Sequence, residues 1–286
     1  MPAEPENEEG ANCRGKTINV GFLRGDSEMT QIRIGTNARL TCWLSLFLAL
    51  ALTGCATQSR PLGADQLNAI LAAPDRRDAD KTNDTRRKAH EMMAFVDARP
   101  GMRVLDVGSG GGYTAELLAR IVGAGGRVYA HNSPEFMKNI VKESFSERLK
   151  NYPGSNLTLT VQPFENPLPA AVAPGSIDLV TFMFVYHDLG WAQADRARVN
   201  RAVFEALKPG GFYIVADHSG RPGTGISESK SLHRIEEALL RKEVEAAGFK
   251  LIAEGQFLRN PADPRDKSVF KPAQPNDEFV LEFQKP

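Results

Sequence analysis

The chain has 286 residues, 42% of them apolar, which is enough to bury a sizeable core, and 24% charged, as in an ordinary water-exposed globular protein. Thirty-five Lys and Arg balance 35 Asp and Glu, so the formal net charge is zero. A neutral chain carries no electrostatic footprint for polyanions, which argues against nucleic acid as an obligatory partner.

Residues 1–28 are polar, acidic at the start and without apolar period, and read as disordered or as an extension upstream of a start at Met29. After Met29 come Arg33 and Arg39, then the apolar run Leu40–Leu52, closing on Thr53-Gly54-Cys55. A basic segment followed by a short apolar one is the pattern of an export signal, and the run is too short to span a bilayer as a helix. Leu52-Thr53-Gly54-Cys55 resembles the lipobox of bacterial lipoproteins, in which the Cys becomes the lipidated first residue. Residues 29–54 are therefore expected to be a lipoprotein-type signal peptide. Cys55 would be a lipid anchor on the periplasmic side of a bacterial envelope, or the chain would be cytoplasmic if the signal goes unused. Cys13, Cys42 and Cys55 are the only cysteines. Cleavage before Cys55 leaves no disulfide framework and no Cys-based zinc site in the folded part, and no metal is expected.

Residues 55–80 read as a tether, with a short helical stretch at Leu67–Leu71. A helical pattern runs from Thr82 to about Asp97, and the domain proper is taken as 81–286. Strands and helices then alternate: strands at Arg103–Val107, Arg127–Ala130, Leu157–Gln162, Ile177–Phe184, Phe212–Ala216 and Phe249–Phe257, and helices at Tyr113–Ile121, Pro134–Leu149, Ala192–Leu207 and Leu232–Ala247. Alternation predicts a parallel sheet with helices on both faces. A last strand, Glu278–Phe283, follows a Pro-rich connection with no helix, so the sheet should end in an antiparallel pair.

The sharpest motif is Asp106-Val107-Gly108-Ser109-Gly110-Gly111-Gly112-Tyr113, between a strand and a helix. Glycines permit a tight turn and close approach of backbone to a ligand. It is no P-loop, and an acid at position 106 would repel a pyrophosphate while suiting a cationic ligand. The stretch resembles motif I of class I S-adenosylmethionine (SAM)-dependent methyltransferases. The resemblance extends over Met102 to Phe283, through Lys208-Pro209-Gly210-Gly211-Phe212 and the helix-free final strand pair. The whole chain is similar to an uncharacterised group of bacterial exported methyltransferases. That resemblance implies an α/β, Rossmann-like sheet of seven mostly parallel strands, helices on both faces and a C-terminal antiparallel pair.

It also implies SAM as cofactor and an unidentified acceptor, expected to be a small molecule. By the resemblance, Asp106 would orient the SAM ammonium, and Gly108, Ser109, Gly110, Gly112 and Tyr113 would form the cofactor loop. Asn132 stands where the family has an acid for the ribose hydroxyls. An amide can serve one hydroxyl as acceptor and the other as donor, and Glu135 is a substitute. Phe164 could pack on adenine and Glu165 accept from its amino group, although an ordinary surface turn fits that segment equally. Met183 would close the cofactor side.

On the acceptor side, the Ile177–Phe184 strand runs into Tyr186-His187-Asp188-Leu189-Gly190-Trp191. Ligands bind at carboxyl ends of strands in open α/β sheets, so His187 and Asp188 are candidate bases, with Tyr186 and Trp191 as walls. His187 is equally read as a structural histidine bonded to a loop carbonyl. His218, after the fifth strand, is expected to line the acceptor pocket, and the Gly- and Ser-rich Arg221–Glu228 could serve as a lid. His233 and Arg234 begin the next helix and are read first as solvated helix residues; in the other reading that helix start faces substrate on the same rim and Arg234 binds a carboxylate. His90 could cover the SAM site. The alternative to an enzyme is a non-catalytic methyltransferase-fold envelope lipoprotein. The oligomeric state is not legible.

Overall fold

Val104, Leu105 and Val107 of β1 (Arg103–Val107) are all fully buried, which requires cover on both faces of the strand. The computed structural model describes residues 60–270 and 275–286, and all of these belong to one compact unit. The apolar run Leu40–Leu52 and Cys55 lie outside the described residues. Among the described residues no helix is long and apolar enough to cross a membrane.

The sheet has seven strands in the order β3-β2-β1-β4-β5-β7-β6. The other six are β2 (Arg127–Asn132), β3 (Leu157–Val161), β4 (Ile177–Met183), β5 (Leu207–His218), β6 (Lys250–Gly255) and β7 (Glu278–Gln284). Strands β1 to β5 pair in parallel, and β7 runs antiparallel to both β5 and β6. The mostly parallel sheet with a reversed C-terminal pair is the one expected from the sequence. Strand order reverses between β1 and β4, so their carboxyl ends open the crevice where such sheets take ligands.

Side-chain alternation splits the core in two. Leu105, Val107, Val180 and Phe182 belong to one cluster, and Val104, Leu179 and Met183 to the other. The second cluster is covered by α1 (Ala64–Leu71), α3 (Ala89–Val96) and α4 (Tyr113–Val122), which supply Leu67, Met92, Met93, Leu117 and Leu118. The first is covered by α5 (Pro134–Phe136), α8 (Arg196–Ala206) and α9 (Glu237–Ala246), through Phe136, Val199, Val203 and Leu240. A π turn, Met137–Val141, joins α5 to α6 (Lys142–Asn151), and α7 (Asp188–Trp191) is a short turn after β4.

Several boundaries differ from the sequence reading. Residues 64–80 are not all tether: α1 packs on the domain, and α2 (Asp78–Arg86) starts before the expected Thr82. The sequence of α2, DADKTNDTR, has no apolar face to read; what it buries is Asp80, 2% exposed and ion-paired. Lys88, at φ 45, breaks the expected continuous helix into α2 and α3. The helix expected from Leu232 begins only at Glu237, because the preceding loop is tied down by Arg234. β5 begins at Leu207, its Lys208-Pro209-Gly210-Gly211 stretch passing an irregularity in the pairing with β4.

Candidate functional site

The chain leaves β1 through a loop that only glycine permits. Gly108 has φ +64, and a Cβ there would lie 2.7 Å from Val185 Cγ1. The last two residues of β2 hold this loop from beside it. The Ser109 amide donates to the His131 carbonyl (2.8 Å), and the Gly108 amide to His131 Nδ1 (3.4 Å). The Gly110 amide donates to Asn132 Oδ1 (2.9 Å), and Asn132 Nδ2 donates back to the Gly110 carbonyl (3.0 Å). His131 Nε2 lies 2.8 Å from the Gln162 carbonyl, which assigns its proton to that nitrogen and leaves Nδ1 to accept. Burial pushes the His131 ring down to about 4, so it is neutral at physiological pH.

In front of the loop lies a cavity of about 230 Å³. Its walls are the glycine turn, the end of β4 with Met183, Phe184 and Val185, and Asp80, Asn83 and Arg87 from the α2 side. Asp106 is 1% exposed; Thr181 donates to its Oδ1 at 2.6 Å, and Oδ2 has no partner among the described residues. Burial pushes the Asp106 carboxyl up to about 6, against the pull of Thr181, Ser109 and Arg87. The Arg87 guanidinium lies 4.6 Å from the Phe184 ring centroid and 5.2 Å from that of Tyr113, and its Nε is likewise without a partner among the described residues. Removal from water, together with neighbouring Arg86, brings Arg87 down to about 10, still a cation at neutral pH.

Behind the cavity stands a buried ionic cluster. Arg148, 1% exposed, donates from Nε to the Gly111 carbonyl (2.5 Å), from Nη1 to Asp80 (2.7 Å), and to Glu116. It thereby ties α2, α4 and α6 to the glycine turn. Tyr113 donates its hydroxyl to Asp84 (2.7 Å), which also pairs with Arg76.

Of the cofactor residues named from the sequence, Asp106, Gly108, Ser109, Gly110, Tyr113 and Met183 line this cavity. Gly112 caps α4 and faces Phe145 and Arg148 instead. The Asn132 amide is taken up by Gly110. Phe164 lies in the opposite core cluster, edge-on to His131 and Phe136 and stacked on Phe182, which removes its ring from the cavity. Glu165 accepts the Asp195 amide (3.0 Å) at the start of α8, and Glu135 is exposed on α5. His90 is half-buried on α3 and is not part of the cavity wall. Arg87, Asp80 and Arg148 were not legible as site residues: they stand in no motif and meet only through the tertiary fold.

A second polar cluster occupies the rim at the ends of β4 and β5. His187 Nδ1 lies 2.7 Å from Asp217 Oδ1, and the His187 amide donates to Asp217 Oδ2 (2.8 Å). His187 Nε2 faces Asp188 Oδ1 at 3.0 Å. Burial alone would push the His187 ring down, but Asp217 and Asp188 raise it to about 10. His218 Nδ1 lies 2.8 Å from Glu278, yet burial outweighs that carboxylate and lowers its pKa. The His218 ring stands between Phe184 (5.2 Å) and His187 (5.7 Å), so it links cavity and rim. His233 arrives from the loop before α9 and stands 3.3 Å from His187 Nε2, on the rim where the less favoured of its two sequence readings put it.

Other expectations are corrected. Tyr186 is no pocket wall: fully buried, it donates to Glu243 (3.0 Å) and accepts from Asn200 (2.7 Å). Arg234 is no solvated helix residue but 0% exposed, paired with Asp263 (2.9 Å) and donating to the Ser219 carbonyl (2.9 Å). In the Arg221–Glu228 segment, Ile226 packs against the first core cluster.

The sequence profile of a methyltransferase domain matches residues 98–258. A protein-L-isoaspartate O-methyltransferase of Aeropyrum pernix is 34% identical over 125 residues, covering 43% of this chain and 42% of that protein. A ubiquinone/menaquinone biosynthesis C-methyltransferase of Vibrio vulnificus is 30% identical over 122 residues, 43% of each. The chain thus spans less than half the length of these two curated relatives. The fold is shared with a SAM-dependent methyltransferase of Aquifex aeolicus, at a TM-score of 0.50 and 16% identity, over 79% of this chain and all of that one.

Proposed function

The chain belongs to the methyltransferase-domain family, and from that premise we propose that it transfers a methyl group from SAM to a small-molecule acceptor on the carboxyl rim of the sheet. One observation carries the reading. Asp106 Oδ2 and Arg87 Nε, buried atoms of opposite charge without partners among the described residues, both belong to residues of one cavity wall. An unpaired buried charge is costly, so such a pair is a receptor for a zwitterion. The amino-acid end of SAM is one: Asp106 fits its ammonium and Arg87 its carboxylate. Gly110, with open space where a Cβ would stand, leaves the backbone free for contact.

SAM, when bound, would supply a methyl group on a sulfonium, passed to the acceptor's lone pair as the carbon–sulfur bond breaks and the neutral thioether of S-adenosylhomocysteine is left. The residues contribute position and exclusion of water more than chemistry. Met183 and Phe184 keep the cavity wall apolar. For an acceptor that carries a proton, Asp188 is the carboxylate on the rim to take it, beside the His187 ring that Asp217 and Asp188 keep cationic at neutral pH.

Calorimetry on the full chain tests this. SAM and S-adenosylhomocysteine should both bind, and Arg87→Met and Asp106→Asn should each weaken both by at least tenfold, on the scale of a lost charged hydrogen bond. Methylthioadenosine, which lacks the amino-acid end, should bind all three proteins alike. Absence of SAM binding by folded protein would refute the reading. Envelope anchoring is supported by the Arg33–Cys55 sequence alone; fatty-acid labelling in cells, abolished in Cys55→Ala, tests it.

A further inference from the structure

On the rim, three potential ligand atoms converge: His187 Nε2, Asp188 Oδ1 and His233 Nδ1. They stand 3.0 Å (His187 to Asp188), 3.3 Å (His187 to His233) and 3.5 Å (His233 to Asp188) apart. Ligands about 2.1 Å from one ion are about 3.0 Å apart at right angles and about 3.4 Å at the tetrahedral angle. The observed triangle has a circumradius of about 1.9 Å, so a point about 2.1 Å from all three atoms lies about 0.9 Å off its plane.

Hydrogen bonds alone use this arrangement poorly. Asp217, fully buried, accepts from His187 on the Nδ1 side, so Nε2 is the nitrogen turned to Asp188 and His233, and it offers a lone pair there once its proton is displaced. One proton between Nε2 and its neighbours serves a single contact, whereas a cation serves three acceptors together. The ligands are also held in place by outer partners, as metal ligands usually are. Asp217 fixes His187, the Trp191 indole N–H donates to Asp188 Oδ1 (2.6 Å), and the Phe270 ring stands 4.5 Å from His233.

We propose that His187, Asp188 and His233 bind a divalent cation of the zinc, cobalt or nickel kind. Two imidazoles and a single carboxylate suit such borderline ions, while magnesium and calcium prefer oxygen alone. Three protein ligands leave at least one position for water or substrate, the arrangement of a reactive rather than a structural metal site. Binding displaces any proton on His187 Nε2 into solvent. On the methyl-transfer reading, on which this further step rests, the open position would hold an acceptor oxygen and favour its deprotonated form.

The test uses the full chain, stripped with chelator and titrated with Co²⁺. One equivalent should bind with visible d–d absorption and without the near-ultraviolet thiolate band that Cys13, Cys42 or Cys55 would give. Zn²⁺ should displace it. His233→Ala and Asp188→Asn should each weaken Co²⁺ at least tenfold, and Asp217→Asn about 10- to 100-fold as an orienting residue. His233 is 25% exposed on a loop, so circular dichroism should find its variant folded, and that variant decides the matter if Asp188→Asn misfolds. No binding, or binding unchanged in folded His233→Ala, overturns the proposal whatever the outcome with SAM.

Discussion

Replacing Asn132 by Asp separates two roles for that position. If it served ribose hydroxyls, a carboxylate would improve cofactor binding. In the structure it does something else: its amide donates to and accepts from the Gly110 backbone, at 0% exposure. Asp keeps the acceptor and loses the donor. The Gly110 carbonyl then faces a carboxylate oxygen at about the 3.0 Å of the lost bond. An unsatisfied buried carbonyl costs about 1–3 kcal/mol, and the anion adds its own desolvation. At about 2 kcal/mol, a domain of this size should melt about 4–8 °C lower. The sign with pH follows. Burial and the carbonyl raise the folded-state pKa of the new acid above its unfolded value of about 3.9, so the deficit grows as pH rises from there and shrinks towards pH 4. Thermal unfolding of the full chain across that range, followed by circular dichroism, measures it. Asn132→Asp that melts with the wild type and binds SAM more tightly would refute the loop-holding role.

Three other perturbations probe neighbouring groups. Arg148→Met leaves Asp80 to Arg77 alone, Glu116 to Arg120 alone and the Gly111 carbonyl without its donor, and should cost about 1–3 kcal/mol in urea unfolding; a loss well under about 1 kcal/mol would show that the cluster is not coupled to stability. His131, held at about 4 in the folded state against about 6.5 unfolded, contributes stability present above pH 6.5 and lost as pH falls through 4. Wild type should therefore lose about 3 kcal/mol more than His131→Gln between pH 7 and pH 4, and parallel profiles would contradict the neutral buried ring. Asp106, raised to about 6, binds a cation only when ionised, so SAM affinity should fall about tenfold per pH unit below that value. Asp106→Asn should flatten the profile seen by calorimetry, and a flat wild-type profile would remove Asp106 from the ammonium site.

What the sequence disclosed divides along physical lines. The strands were readable because β1 and β4 are apolar on both faces, and the glycine turn because Gly108 meets Val185 in a conformation that side chains resist. The α2 helix was unreadable because it buries charge, and a buried Asp80 is visible only beside Arg148, 68 residues on. Phe164 was assigned to adenine by its place after β3, but the face on which a ring lands is set by packing, and it joined Phe136 and Phe182. His187 and Asp188 were legible through their place at a strand end. For His233 the favoured reading was a solvated helix residue, because loop closure over 46 residues leaves no periodic trace of its approach to His187.

Two strained residues suggest why cavity and rim share one strand end. Phe184 follows β4 at φ 62 and His233 precedes α9 at φ 55, the left-handed region that costs an ordinary residue about 1–2 kcal/mol. Such strain persists where surroundings over-determine it, and it concentrates at functional sites. Here the surroundings are visible: the Phe184 amide donates to the Ala216 carbonyl (2.7 Å), and its ring is held between Arg87 and His218. The turn at Phe184 sends its ring to the cavity with Asp106 and Met183, and the following residues to the opposite core cluster, where Tyr186 is fixed by Asn200 and Glu243. His187 and Asp188 emerge at the rim only because both halves are anchored. Relieving the strain with Phe184→Gly should therefore loosen the link between the two sites even if it relaxes the backbone. Paired titrations would reveal it as a larger loss of SAM affinity than the lost Arg87–ring contact alone provides, about 0.5–2 kcal/mol, and a loss within that range would leave the backbone turn without a role.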